Sequence, residues 1–242
     1  MALSKKEQVI QKSLVSLGFT VSRIHPKTKD LEDISIQFAD VRGKRVYNAS
    51  EYIPITQRRA KSEELFANNK VSDEYYTRGE TWERFLKEYG LVGTTVFEPF
   101  CADGSSKKAL EGLVDVKSRQ GANFWDIYED PEFADLLVLS NPPFSFKWLI
   151  IQTLLEKKRD FALILPWQSF IDREEEGRKY WECPLKKYKR RWGGDYIVFK
   201  LTNKEKKFWK PTTLNGKEDE GEWKEIGCSI LYWRKDGVFN KV

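Results

Sequence analysis

The residues with the clearest chemical use are Asn141-Pro142-Pro143-Phe144, which follow the apolar run 135–140. Two consecutive prolines cannot donate hydrogen bonds to a sheet, so they end a strand and fix the turn after it. The Asn141 side-chain oxygen and the Pro142 carbonyl oxygen can accept the two hydrogens of an exocyclic amine. Phe144 can stack on the planar ring that carries this amine. The alternative is an ordinary proline turn after a buried strand.

A second informative segment is residues 95–105, which reads as a short apolar strand, an acidic residue and a turn of small residues that opens a helix. Small residues let a ligand approach the backbone closely. Open α/β sheets bind ligands at the carboxyl ends of their strands, and both segments are expected there. The sequence therefore predicts one cleft that holds a ligand and an amine together.

With these two segments, residues 70–170 resemble the S-adenosylmethionine-dependent amino-methyltransferases. Among these they resemble the DNA adenine-N6 methyltransferases, including the EcoRI-type modification enzymes and phage relatives. The segment 98–104, Glu-Pro-Phe-Cys-Ala-Asp-Gly, matches the family's first-strand turn, except that Ala102 stands where a glycine is expected. The resemblance implies S-adenosylmethionine as cofactor and a Rossmann-like class I methyltransferase fold with a mostly parallel seven-stranded sheet. It implies a catalytic tetrad of Asn141, Pro142, Pro143 and Phe144.

The resemblance also implies which residues bind the cofactor. Tyr76 and Thr77 look like the segment that closes over its methionine end. Thr77 with Glu80 also has the pattern of a capping box, and the helix after it is expected to carry Trp82, Phe85, Leu86 and Tyr89 on one face. Either Asn123 or Asp126 hydrogen-bonds the cofactor adenine. Asp115 is the candidate for the cofactor ribose, or else an exposed strand residue. The full set is Tyr76, Thr77, Glu98, Phe100, Ala102, Gly104, Asp115, Asn123, Phe124, Asp126 and Asn141.

The remaining pattern predicts an alternation of strands and helices. Four apolar runs are expected to be parallel strands, a crossover helix lies at 148–155, and two further strands complete the sheet. The strand positions are 95–100, 114–116, 135–140, 161–166, 196–202 and 227–234. Residues 71–242 form the expected catalytic domain. Residues 1–70 form a small α+β appendage with a helix near 4–17 and a turn near 42–45, and substrate recognition is its candidate role.

Composition narrows the class of protein. The 242 residues are 40% hydrophobic, which is enough for one sizeable core. No apolar run reaches the roughly 18 residues of a membrane span, and the first residues have no signal-peptide core. Three scattered cysteines and the single His25 do not suit a disulfide framework, a metal site or a histidine-based triad. We expect a cytoplasmic protein of a bacterial or phage-infected cell, without a metal.

The net charge of +5 is unevenly distributed. Basic residues cluster together with aromatic ones, a pattern that suits phosphates and stacked bases, although each cluster can also be a solvated face. Two such clusters lie at residues 58–61 and 186–191, and a third covers residues 204–210. The residues expected to bind nucleic acid are Arg58, Arg59, Lys61, Lys186, Lys187, Lys189, Arg190 and Arg191. The expected partner is double-stranded DNA, with the target base flipped out of the stack and residues 186–191 on the same rim as Asn141.

Other interpretations stay open at this point. Families with the same tetrad methylate adenine or guanine N2 in RNA, and a close variant methylates glutamine amides in proteins. Basic and aromatic clusters disfavour a protein substrate but do not distinguish DNA from RNA. Three departures from the family's pattern also fit a non-catalytic nucleic-acid-binding subunit that has lost the cofactor. They are Ala102 in place of a glycine, Arg78 in place of a proline and Asn123 in place of an acid. The intact tetrad argues against this interpretation, because a non-catalytic subunit would have no need of the tetrad.

Overall fold

The computed structural model describes residues 52–73, 75–101, 104–170, 173–175, 178–181, 183–211 and 221–242, together with two short N-terminal strands. The chain divides into two compact units, Met1–Tyr52 and Ile53–Val242. In the first unit, β1 (Phe19–Thr20) pairs antiparallel with β2 (Gln37–Phe38). The helix expected near residues 4–17 and the turn expected near 42–45 lie outside the described residues.

Apolar runs bounded by turn residues form most strands of the larger unit. In chain order the strands are β3 (Thr95–Phe97), β4 (Asp115–Lys117), β5 (Leu137–Ser140), β6 (Phe161–Pro166), β7 (Arg173–Glu175), β8 (Arg178–Trp181), β9 (Asp195–Lys200), β10 (Lys207–Pro211), β11 (Gly221–Glu225) and β12 (Cys228–Arg234). The four expected parallel strands and the expected final pair are all present, within three residues of the expected ends.

A six-stranded sheet has the order β4-β3-β5-β6-β12-β9. The first four strands are parallel, and β12 runs antiparallel to both of its neighbours, so β9 has the direction of the first four. This is an α/β fold with a mostly parallel sheet, compatible with a Rossmann-like fold. The expected seventh strand is not seen in the described part of the chain.

Six helices accompany the strands in the described part of the chain. They are α1 (Ile55–Asp73), α2 (Gly79–Glu88), α3 (Ser105–Leu110), α4 (Phe124–Ile127), α5 (Lys147–Glu156) and α6 (Leu185–Trp192). Helix α2 buries the predicted face of Trp82, Phe85, Leu86 and Tyr89 against one side of the sheet. Helix α5 confirms the predicted crossover helix, and its residues 148–155 are all buried.

Helix α1 belongs to the larger unit. It packs against α5 and against the 3-10 turn Phe144–Phe146. The sequence placed the domain boundary near residue 70, whereas the chain divides into its two compact units between Tyr52 and Ile53. Helix α1 thus contributes to the walls of the candidate site described below.

Two antiparallel hairpins complete the larger unit, β7 with β8 and β10 with β11. The second hairpin is inserted between β9 and β12. Lys200 at the end of β9 lies opposite Ser229, and Cys228 lies opposite Pro166 at the end of β6. The hairpin therefore emerges at the carboxyl edge of the parallel strands, where β5 also ends.

Candidate functional site

A cavity of about 320 Å³ opens at the carboxyl edge of the parallel strands. This volume is at the lower end of the roughly 300–1,000 Å³ that is typical of small-molecule sites. Its walls come from α1, the segment before α2, and the turns after β3, β4 and β5. Sequence motifs far apart in the chain thus meet at one place.

Seven of the predicted site residues line this cavity. They are Tyr76, Thr77, Phe100, Asn123, Phe124, Asn141 and Pro143. Pro142, Phe144, Glu98, Gly104, Asp115 and Asp126 do not line it. Ala102 lies outside the described residues. The fold thus brings together residues that the sequence assigned both to the cofactor and to the target amine.

The side chain of Asn141 has an orientation fixed by its surroundings. Its Nδ2 donates a hydrogen bond of 3.0 Å to the Tyr75 carbonyl oxygen, which can only accept. The opposite atom, Oδ1, is buried and has no hydrogen-bond partner among the described residues. A buried acceptor without a partner costs about 1–3 kcal/mol, so the cavity holds an acceptor that a ligand N–H would satisfy.

Thr77 provides a second buried polar atom in this cavity. Its Oγ1 also has no hydrogen-bond partner in the described part of the chain. The expected capping box with Glu80 is wrong, because α2 begins at Gly79 behind Arg78 and receives no side-chain cap. The Thr77 hydroxyl is thus left for a ligand.

One wall of the cavity is aromatic. The Phe100 and Phe124 rings are stacked, with centroids 5.3 Å apart and planes inclined by 19°. Trp125 lies beside Phe124 in an edge-on contact at 5.0 Å. Asn123 caps α4 by accepting the Trp125 backbone N–H at its Oδ1, which leaves its amide nitrogen to serve a ligand acceptor.

Glu98 has a positioning role next to the cavity. Its Oε1 accepts hydrogen bonds from the Ser140 hydroxyl at 2.6 Å and from the Phe100 backbone N–H at 2.8 Å. Burial raises the pKa of the Glu98 carboxyl from 4.5 to about 7, against the opposing effect of these two bonds. Glu98 holds the turn after β3 against the end of β5, although the sequence predicted direct cofactor contact.

Glu63 is the only carboxylate lining the cavity among the described residues, and the sequence reasoning missed it. It lies on α1, in a stretch assigned to the N-terminal appendage. Its carboxylate also accepts a hydrogen bond of 3.2 Å from the Arg59 guanidinium, one turn earlier on the helix. Tyr75 and Trp125 are next in sequence to the predicted site residues Tyr76 and Phe124 but had no assigned role. No local pattern in α1 marks Glu63 as a site residue.

Two predicted acidic ligands lie elsewhere. Asp115 is the first residue of β4 and pairs with Thr95 at the start of β3, so it lies at the amino edge of the sheet, away from the cavity. Its exposed carboxylate accepts a hydrogen bond from the Thr95 hydroxyl. Asp126 is exposed and accepts a 2.5 Å bond from Arg59, which leaves Asn123 as the residue that faces the cavity. Both assignments are corrected on position.

Gly104 is placed next to the cavity by its backbone. It precedes α3 with φ of 88°, in the left-handed region that favours glycine, while a Cβ would meet nothing closer than 3.9 Å. Glycine is therefore favoured at this position by the backbone conformation and not by a lack of space for a side chain. Ser105 and Ser106, which follow it, line the cavity.

Phe144 lies beside the cavity and stacks on Tyr75. The ring centroids are 5.8 Å apart and the planes are inclined by 25°. The Tyr75 carbonyl oxygen accepts a hydrogen bond from the Asn141 amide, and the Lys210 ammonium lies above the Tyr75 ring, 4.9 Å from its centroid. The target-stacking role of Phe144 stays a prediction. Pro142, the residue after Asn141, is buried.

The first basic cluster divides into a structural and an exposed part. Arg58 is fully buried, and its guanidinium binds the Ile53 carbonyl oxygen, the Thr153 hydroxyl and the Glu156 carboxylate at 2.6–2.9 Å. A phosphate cannot reach it, so the predicted nucleic-acid role is wrong for Arg58. Arg59 is half exposed, and Lys61 makes an ion pair of 2.9 Å with Glu64 one turn along α1.

The cluster on α6 does not lie wholly on the rim of the cavity. The helix begins near Ser169, whose carbonyl accepts the Cys183 thiol just beyond the carboxyl end of β6. It ends near Asp195, where Lys189 makes an ion pair of 2.5 Å at the amino edge of the sheet. Lys186 and Lys187 are therefore nearer the rim, and the expected rim position is wrong for Lys189, Arg190 and Arg191 because the helix carries them to the far edge.

A scan against models of protein families gives no match, and a search of curated proteins finds no sequence with significant similarity. The resemblance to amino-methyltransferases thus rests on the sequence motifs. Among the described residues, no three His, Cys, Asp or Glu side chains are grouped so as to hold a metal ion. None of the described helices has both the length and the apolar character needed to cross a bilayer.

Proposed function

We propose that this protein is an S-adenosylmethionine-dependent methyltransferase that acts on the exocyclic N6 amine of adenine in DNA. The observation that carries this proposal is the buried, unpartnered Oδ1 of Asn141 in a cavity with an aromatic wall. Because the Tyr75 carbonyl holds the amide by its nitrogen, the oxygen is presented to the ligand before the ligand arrives. Preorganised acceptors of this kind are effective where positive charge develops on a reacting nitrogen.

The chemistry of the target amine explains why an acceptor is needed. The lone pair of an aromatic amine is delocalised into its ring, so the nitrogen is a poor nucleophile while it stays planar. Hydrogen bonds accepted by Asn141 Oδ1 favour a pyramidal nitrogen and stabilise its developing charge. The same contacts orient the amine, which lowers the entropic part of the barrier.

The residues around the cavity fit the proposed cofactor. S-adenosylmethionine, when bound, would supply an electrophilic sulfonium methyl group; its transfer to the amine nitrogen would release S-adenosylhomocysteine, and the methylated amine would then give up a proton to solvent. The aromatic wall of Phe100 and Phe124 suits a purine ring, and the Asn123 amide nitrogen suits its ring acceptors. Glu63 provides a carboxylate for a cationic ligand, and the Thr77 hydroxyl can satisfy a polar group.

The fold supports the same proposal at a coarser level. Five strands run in one direction, and the antiparallel β12 lies between β6 and β9. The cavity lies at the carboxyl edge, as expected for an open α/β sheet. We propose that the sheet is that of a class I methyltransferase whose remaining edge strand is absent from the described residues. Helix α1 then completes the wall of the cavity.

One observation favours a second candidate, a nucleic-acid-binding subunit without catalytic activity. The sequence expected an acid for the cofactor ribose after β4, and Asp115 lies at the opposite end of that strand. If Glu63 does not replace it, cofactor affinity would be weak. Calorimetric titration with S-adenosylmethionine distinguishes the two candidates, because only the enzyme binds it.

The deciding experiment supplies labelled S-adenosylmethionine together with separate pools of duplex DNA, single-stranded DNA, RNA and protein. The methylated product is digested and identified by mass spectrometry. We expect N6-methyladenine in DNA. N6-methyladenine or N2-methylguanine confined to RNA would overturn the DNA assignment and keep the class of reaction. Transfer to no pool, together with absent cofactor binding, would overturn the enzyme proposal.

A further inference from the structure

The β10–β11 hairpin pairs with a segment that lines the cavity. Tyr76 and Trp209 exchange two backbone hydrogen bonds, of 2.9 and 3.1 Å, so the segment before α2 pairs with β10 in antiparallel fashion. Trp209 in turn lies directly opposite Trp223 of β11. The chain that lines the cavity is thus continuous with the hairpin through backbone pairing.

Residues directly opposite each other in antiparallel pairs point to the same face. Tyr76, Trp209 and Trp223 therefore form one row across three adjacent segments, which we name the aromatic row. It starts at Tyr76 in the cavity wall. It continues through the edge-on contact of the two indoles, whose centroids are 5.3 Å apart. Trp223 ends the row with 51% of its surface exposed.

Cations lie on both faces of the hairpin. On one face the Arg78 guanidinium lies over the Trp223 ring, 4.9 Å from its centroid. On the opposite face Lys210 lies over the ring of Tyr75, which stacks on Phe144. An exposed indole below a guanidinium is a surface on which any of the nucleobases can stack.

We infer that the aromatic row binds the nucleotides next to the target, with an unpaired base stacked on Trp223 and Arg78. The inference rests on the proposed function for the target amine, but binding can be measured without catalysis. The partner is a polynucleotide strand rather than a peptide, because the row leads from the cavity proposed to hold a nucleobase amine. A row of flat rings with adjacent cations matches successive bases along such a strand.

The contact depends on stacking more than on phosphate pairing. Glu222 and Glu225 lie on β11 beside Lys224, and Glu222 makes an ion pair of 2.7 Å with that lysine. The hairpin therefore does not present a purely basic surface. Loss of Trp223 should weaken affinity without changing how affinity depends on salt, because no phosphate contact and no counterion release is lost.

The far edge of the sheet offers a matched control. Trp192 at the end of α6 also lies below an arginine, with Arg191 5.1 Å from its ring centroid. This pair is at the amino edge of the sheet, close to Asp195. It has the same chemistry as the pair of Trp223 and Arg78 but is remote from the cavity.

The test measures fluorescence anisotropy of labelled single-stranded DNA and RNA of the same sequence, and of a duplex with a mismatched adenine. We expect Trp223→Ala to weaken binding about five- to a hundredfold, in the range of one stacked base, and Trp223→Phe to retain most of it. Trp192→Ala should bind normally. The salt dependence and the S-adenosylmethionine affinity of Trp223→Ala should match those of the wild type.

Unchanged affinity of Trp223→Ala, or an equal loss in Trp192→Ala, would overturn the inference. A flatter salt dependence would also overturn it, because it would indicate a phosphate contact. If Trp223→Ala does not fold, as judged by circular dichroism, Arg78→Gln provides the same comparison, and we expect a smaller loss of affinity. A protein that transfers no methyl group but depends on Trp223 for binding would contradict the proposed function and support the aromatic row.

Discussion

The Ser140 hydroxyl donates a hydrogen bond of 2.6 Å to the Glu98 carboxylate, and so joins the end of β5 to the turn after β3. The same carboxylate oxygen accepts the Phe100 backbone N–H. Phe100 belongs to the aromatic wall, and Ser140 immediately precedes Asn141. One buried acid thus fixes the relative position of the proposed cofactor wall and the proposed catalytic amide.

The buried carboxyl of Glu98 should make stability depend on pH. Burial raises its folded-state pKa from 4.5 to about 7, so the folded protein keeps a proton that the unfolded chain releases. This contribution to stability is complete below pH 4.5 and is lost as pH rises through 7, by up to about 3 kcal/mol. We expect the stability of Glu98→Gln relative to the wild type to increase between pH 5 and pH 8, as measured by urea unfolding. Glu111→Gln, on the surface, is the control, and an unchanged difference for Glu98→Gln would contradict the prediction.

Removing the acceptor at Asn141 should abolish transfer and spare cofactor binding. We expect Asn141→Ala to reduce the rate of methyl transfer by at least about a hundredfold, the scale of one lost transition-state hydrogen bond. Its S-adenosylmethionine affinity, measured by calorimetry, should stay near that of the wild type. The matched control is Asn240→Ala, on the surface near the C-terminus. Turnover near the wild-type rate would exclude the proposed role of Asn141.

Phe144 should tolerate another aromatic ring better than a methyl group. Phe144→Ala is expected to weaken target binding and slow transfer, whereas Phe144→Trp keeps part of both, since stacking needs a flat ring. Single-turnover rates and oligonucleotide affinities check this. Equal losses in the two variants would mean that the ring only packs against Tyr75.

Glu63 should bind the charged or polar part of the cofactor. We expect Glu63→Gln to weaken S-adenosylmethionine binding about tenfold, since it loses a charge-assisted contact. Titration with S-adenosylhomocysteine, which lacks the sulfonium charge, gives further detail. A loss for the methyl donor alone would place the carboxylate near the sulfonium, and a loss for both would place it near the ammonium or the ribose. Glu64→Gln, its neighbour outside the cavity wall, is the control, and normal binding of both ligands by Glu63→Gln would rule out this role.

Arg58 should contribute to stability and not to nucleic-acid binding. It is fully buried, and its partner Glu156 is 30% exposed. Removing one partner of a buried ion pair typically costs 3 kcal/mol or more, so we expect Arg58→Met to lower the free energy of unfolding by about 3 kcal/mol. Lys61→Met, at the surface, should change it by less than about 0.5 kcal/mol. Normal stability of Arg58→Met with reduced oligonucleotide affinity would restore the original interpretation.

The sequence predicted the elements whose signals are local. Apolar runs such as 161–166, ended by proline or turn residues, were predicted as strands, and the structure confirms them. They could be predicted because burial on both faces of a strand leaves a continuous apolar run. The face of α2 was predicted because its apolar spacing follows the helical period. The meeting of Thr77, Asn123 and Asn141 in one cavity follows from the rule that places ligands at the carboxyl edge.

What the sequence missed depends on contacts between distant segments. Glu63 lies on α1, whose mostly polar sequence gives no apolar stripe and no sign of where it docks. Trp209 appeared only as a member of a basic cluster, and its pairing with Tyr76 has no local signal. Asp115 shows how sensitive the site is to register. An acid at the first residue of a strand lies at the opposite edge from one that follows its last residue.

The pairing of Tyr76 with Trp209 has a thermodynamic consequence. A ligand that orders Tyr76 inside the cavity also orders the strand that carries Trp209, so the second ligand would find part of its ordering entropy already lost. Linkage requires the effect to be reciprocal: whatever factor the cofactor adds to oligonucleotide affinity, the oligonucleotide must add to cofactor affinity. We expect positive cooperativity between the two, carried by two backbone hydrogen bonds.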